Sequence, residues 1–172
     1  MRVYRLVSLA SLCICLVHLS CAIPRLIWPQ DDIRAYELNP LSLEDKVLVA
    51  SRSSEFKDSV VARIREAFDG QPVYVRFIGL EDLKHENAGA YKAVVLINSC
   101  IAWGMDPDVE GFLKRSKDQS NIIVLTTSGA GDWLPKMEGR DFDAIACASK
   151  SINVDRVASE IITKIRALLS ET

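Results

Sequence analysis

The chain has 172 residues, 49 % of them hydrophobic and 26 % charged, and its formal net charge is -2. That composition suits one globular domain with a sizeable core and excludes a disordered chain. No block of basic residues is present, which argues against a nucleic-acid partner.

The first residues read as a targeting segment. Met1-Arg2-Val3-Tyr4-Arg5 is a short basic start, residues 6–19 are almost wholly apolar, and Ser20-Cys21-Ala22 offers small residues for cleavage after Ala22. The pattern predicts an export signal over 1–22 and a periplasmic or membrane-tethered protein. Two other outcomes stay open. Residues 6–23 just reach the lower limit of a spanning helix, which would leave an uncleaved anchor. Alternatively, Leu19-Ser20-Cys21 resembles the end of a lipoprotein signal, which would lipidate Cys21 and tether the protein without spanning the bilayer. Either way membrane contact is expected only through this segment. Cleavage would remove Arg2 and Arg5 but no acid, which moves the net charge to -4.

Residues 23–45 hold Pro24, Pro29 and Pro40 without sustained periodicity and read as a tether. From residue 46 to 172 strands alternate with helices. The continuous apolar run at 47–50 suits a strand buried on both faces, 93–97 reads as a buried parallel strand, and further strands are expected at 73–78, 121–126 and 143–147. Val60, Val61, Ile64 and Phe68 recur at helical spacing, so a helix is expected over 54–68, closed by Asp69-Gly70. Residues 81–87 suit a short irregular helix. Asp106 and Pro107 mark the start of another helix, as a cap and first-position pair. Val154, Val157, Ile161, Ile165 and Leu168 form the buried stripe of a last helix over 153–169. Such alternation implies right-handed crossovers and a parallel sheet. The expected architecture is a three-layer, doubly wound α/β domain of five parallel strands in the order 2-1-3-4-5.

In that order, ligands bind outside the carboxyl ends of the strands, where the winding reverses. Three loops border the crevice. The first, after strand one, holds Ser51, Arg52, Ser53 and Ser54. Hydroxyls and backbone N–H groups at a helix start form an anion site, with Arg52 as a charged contact. The same serines also suit plain helix capping. The second loop holds Trp103 and Gly104. A flat aromatic here either stacks on a flat partner or plugs its own loop. The third holds Ser128, Gly129 and Trp133, where glycine lets backbone approach a ligand closely.

Together these loops resemble the flavodoxin family, over about residues 46–170. A hydroxyl-rich loop follows strand one, Ala102-Trp103-Gly104-Met105-Asp106 follows strand three, and Gly131-Asp132-Trp133 follows strand four. The resemblance implies a flavodoxin-like fold and a non-covalently bound FMN used for electron transfer with a redox partner. Ser51, Arg52, Ser53 and Ser54 would hold the phosphate, and Trp103 and Trp133 would flank the ring. Gly104, Ser128 and Gly129 would meet the ring and ribose edges. One stretch departs from the family: Ser53-Ser54-Glu55-Phe56 stands where Thr-Gly-Asn-Thr is usual. A flavin-free binding or structural module of the cell envelope, contacting an envelope protein, is therefore the alternative expectation.

Other chemistries find less support. The phosphoreceiver topology lacks its acids after strand one and its Asp after strand three. No Gly-x-Ser-x-Gly elbow is present for a hydrolase. Cys100 and Cys147 are expected two strands apart, about 9.6 Å at ~4.8 Å per strand, too far for a disulfide. His85 is the lone imidazole after the leader, which gives no metal site and no base near Cys100. An enzyme is thus less expected than an electron carrier or a binding module.

Overall fold

The computed structural model describes residues 30–135, 139 and 141–171. The expected export signal, Cys21 and the first part of the tether lie outside the described residues. No described helix is long and apolar enough to cross a membrane.

The sheet has six strands: β1 (Tyr36–Leu38), β2 (Lys46–Ser51), β3 (Tyr74–Ile78), β4 (Ala93–Ser99), β5 (Ile122–Ser128) and β6 (Asp143–Ala148). Their order is β1-β3-β2-β4-β5-β6. The five strands from β2 onward pair in parallel and follow the expected 2-1-3-4-5 arrangement. The expected count of five is corrected by β1, which pairs antiparallel with the edge strand β3. Its sequence, three residues between a charged stretch and Asn39-Pro40, is too short to carry a period. Tertiary contacts make it a strand: the Tyr36 and Phe77 rings stack with centroids 4.4 Å apart.

The continuous apolar runs follow from coverage on both faces. Val47 and Val49 of β2 point to one layer, Leu48 and Ala50 to the other, and β4 and β5 alternate in the same way. The first layer holds α1 (Glu55–Phe68) and α3 (Val154–Ser170). The second holds α2 (Pro107–Arg115) and a 3-10 turn at Leu80–His85. Asp106 caps α2, with Pro107 inside its first turn, as the sequence predicts. The described part of the segment between β5 and β6 contains no helix.

The compact body begins at Asp31, well before the expected domain start at residue 46. Two contacts explain why the second half of the supposed tether is not loose. Asn39, at φ +65°, donates from Nδ2 to the Phe68 and Val73 carbonyls and accepts from the Gly70 N–H. It thereby satisfies the carboxyl end of α1 from outside the helix. Residues 31–33 run antiparallel across the end of β2, with an Asp32–Arg52 bridge and an Ile33 N–H to Ser51 carbonyl bond of 3.3 Å.

Candidate functional site

The three loops do meet the carboxyl edge of the sheet, but the two sides of that edge differ. After β2 the chain turns inward. Arg52 is 3 % exposed and its guanidinium is surrounded by carboxylates. Nε donates to Asp106 Oδ2 at 2.9 Å and Nη2 to Asp106 Oδ1 at 3.3 Å, a two-point grip. Nη2 also reaches Asp108 Oδ2 at 2.6 Å, and Nη1 reaches Asp32 Oδ1 at 2.7 Å. Glu81 stands 3.8 Å from Nη1. Burial works against the charge, yet the hydrogen bond and charge of Asp106, then those of Asp32, outweigh it and raise the guanidinium's affinity for its proton.

Asp32 occupies an anion position at this loop. Its second oxygen accepts from the Glu81 N–H at 3.0 Å, at the start of the 3-10 turn. The approach requires glycine at position 79, because a Cβ there would lie 2.4 Å from Asp32 Oδ2. The Ser53 N–H donates to the Asp31 carbonyl at 2.6 Å, and the Arg52 N–H to the Ile97 carbonyl at 3.2 Å. The hydroxyls turn inward as well. Ser51 Oγ, fully buried, donates to the Arg52 carbonyl; Ser53 Oγ pairs with Asp58; Ser54 Oγ accepts the Lys57 N–H as the helix cap. Lys57 is itself buried, and desolvation lowers its ammonium pKa. Glu55 and Asp58 lie exposed in the first turn of α1. The four residues expected to hold a phosphate are thus engaged within the protein, and the added carboxylates make the rim acidic. A flavin phosphate does not fit this arrangement.

The other side of the edge is open. After β4, the Cys100 N–H bonds the Thr127 carbonyl at 2.8 Å. Ile101 and Gly104 then exchange both backbone hydrogen bonds, at 3.0 and 2.9 Å. The two residues between them, Ala102 (φ +48°) and Trp103 (φ +62°), are both left-handed. This is the geometry of a two-residue primed hairpin turn, which normally takes Asn-Gly or Gly-Gly. A bulky residue there is strained by ~1–3 kcal/mol, and such strain clusters at functional sites. Trp103 sits at the tip, 88 % exposed.

After β5, Gly131 (φ +81°) donates its N–H to Ser128 Oγ at 2.9 Å and lies against β6. A Cβ at Gly131 would come 2.4 Å from the Ala148 nitrogen, so the loop is pinned by a glycine. Between this loop and the Trp103 turn lies a cleft of about 890 Å³. Trp103, Ser128, Gly129 and Trp133 line it together with Cys100 and Asp132. Of the nine predicted site residues, these four are brought together. Gly104 closes the turn, and Ser51, Arg52, Ser53 and Ser54 belong to the charged cluster.

Burial raises the Cys100 thiol pKa despite the Trp103 backbone N–H bonded to it, so at neutral pH it is a thiol rather than a thiolate. His85 ends the 3-10 turn after β3, two strands from β4 in the sheet. Among the described residues no group of His, Cys, Asp and Glu could hold a metal ion, and Cys100 and Cys147 are both free.

The sequence marks Asp106 as a helix cap but gives no sign that Asp32, Asp106 and Asp108 are the partners of Arg52. Their only sequence signal was an unusually acidic neighbourhood around each loop. Asn98, near the end of β4, carries no sequence signal of its role either. It is fully buried, donates to the Leu125 carbonyl and to Thr126 Oγ1, and ties the carboxyl ends of β4 and β5 together.

No family model matches the chain, and neither does any curated protein sequence. Among solved structures, the chain is similar to a flavodoxin from the domain Archaea at 14 % identity and a TM-score of 0.45, covering 72 % of this chain and 98 % of that one. It is also similar to an oxidoreductase from Corynebacterium diphtheriae at 14 % identity and a TM-score of 0.47, covering 76 % of this chain and 100 % of that one.

Proposed function

We propose that this protein is a flavin-free binding module on a doubly wound α/β scaffold, exported to the cell envelope, that receives an apolar ligand in the cleft between Trp103 and Trp133. The observation that carries this reading is the burial of Arg52 among Asp32, Asp106 and Asp108. The loop best suited to a phosphate carries its own anions. Exposure of Glu55 agrees, since a phosphate at the start of α1 would be repelled by it. The basic and apolar leader supports export.

A second reading, FMN binding for electron transfer, is favoured by one observation: two indoles line a single cleft. Comparing FMN with riboflavin separates the two. A flavodoxin draws affinity from the phosphate, so FMN would bind more tightly. The binding module takes the ring alone or neither ligand, so FMN binds no more tightly than riboflavin. Flavin fluorescence quenching by the full-length protein measures both. Quenching by FMN at least tenfold tighter than by riboflavin would overturn the proposal.

A further inference from the structure

The two walls of the cleft share a chemical bias. One is the Trp103 turn, whose strained, exposed indole is presented outward rather than packed. The other is the pinned loop carrying Asp132 and Trp133. Two indoles and one carboxylate therefore line the same space, and among the described residues no basic side chain does. An indole face carries negative potential and attracts cations more strongly than any other side-chain ring. A carboxylate beside it adds Coulomb attraction that grows as ligand and cleft exclude water. An anion meets the reverse, from Asp132 and from the indole faces alike. A neutral ring gains only stacking and burial.

We infer that the cleft selects an organic cation, an ammonium group on an apolar body, held between Trp103 and Trp133 with Asp132 as its counter-ion. This rests on the ligand-binding reading above and adds the sign of the ligand's charge. A substituted ammonium suits the site better than a bare one. Its charge is spread over methyl groups, it is less strongly hydrated, and it fills apolar volume. The cleft, at about 890 Å³, lies within the size range of small-molecule sites.

Three probes of one shape and different charge test the inference: choline, the neutral 3,3-dimethyl-1-butanol and the anionic 3,3-dimethylbutanoate. Each is titrated into full-length, 15N-labelled protein while the indole N–H signals of Trp103 and Trp133 are followed. Trp103→Phe and Trp133→Phe assign those signals. Choline is expected to shift both indoles saturably, at least about tenfold more tightly than the neutral alcohol. Asp132→Asn, an exposed position, should weaken choline several-fold and leave the alcohol unchanged. Equal binding of choline and the alcohol, or tighter binding of the anion, overturns the charge selection and leaves the cleft as a ligand site. If none of the probes moves either indole, the inference fails. If riboflavin and FMN also fail to bind, the cleft's ligand-binding role falls with it.

Discussion

The carboxyl edge of this sheet has two halves that started from the same opportunity. On the β2 side, the loop's one guanidinium, Arg52, turns inward and is held by Asp32, Asp106 and Asp108. On the β4–β5 side, two loops stand apart and leave an apolar cleft under a strained tryptophan. The first half holds buried charges that must stay paired, so losing a partner there costs stability. The second keeps an exposed indole in an unfavourable backbone conformation, which costs stability. A doubly wound sheet offers the edge, but the side chains at each strand end decide whether it becomes structure or site.

Substitutions should separate the halves sharply. Arg52→Met removes the guanidinium that, among the described residues, Asp32, Asp106 and Asp108 share, with Asp106 almost fully buried. The expected loss is about 3–5 kcal/mol of unfolding free energy, seen as a lower urea midpoint. A loss under about 1 kcal/mol would show that the cluster is not a structural keystone.

Gly131→Ala comes next. Its Cβ would collide with Ala148 backbone and its φ of +81° disfavours any side chain. Overpacking and left-handed strain together predict a loss of about 2–4 kcal/mol, with broadened or shifted Trp133 signals because the cleft wall moves. Ala102→Gly works in the opposite direction. At φ +48° glycine relieves strain, and the expected gain is about 0.5–1 kcal/mol in denaturant unfolding, with the Trp103 tip retained. A destabilised Ala102→Gly variant would contradict the strain assigned to the turn.

The smallest effect is chemical. Because burial raises the Cys100 pKa, the reactive thiolate fraction is low at pH 7 and grows as pH rises. Alkylation of Cys100, followed by peptide mass mapping across pH 7–10, should therefore accelerate toward the alkaline end. It should reach half its limiting rate at a higher pH than a free thiol, and a cleft ligand should slow it. A half-point below that of a free thiol would contradict the burial of Cys100 in the cleft wall.

Much of the scaffold was legible in the chain. Continuous apolar runs for β2, β4 and β5, the Ser54 and Asp106 caps, and the stripe of α3 are all local patterns. A residue's neighbours at spacings of two, three or four determine them. The edge strand β1 was not legible, because its three residues gain their conformation from β3 and from the Tyr36–Phe77 stack. The site divided along the same line. Trp103 and Trp133 could be assigned to one edge from strand order alone. Arg52 could not be assigned correctly, since an Arg beside serines at a helix start reads as an anion contact until its partners are known.

The sequence by itself determined the element order from β2 onward, the helix starts and the three-layer α/β class, because those follow from periodicity and capping within a few residues. Only the tertiary structure decided that Arg52 meets Asp32, Asp106 and Asp108, which lie 20, 54 and 56 residues away. It also decided that Ala102 and Trp103 turn left-handed and hold an indole over the cleft. Charge pairing and backbone strain depend on which distant groups the fold brings within a few ångströms, and no local pattern encodes that.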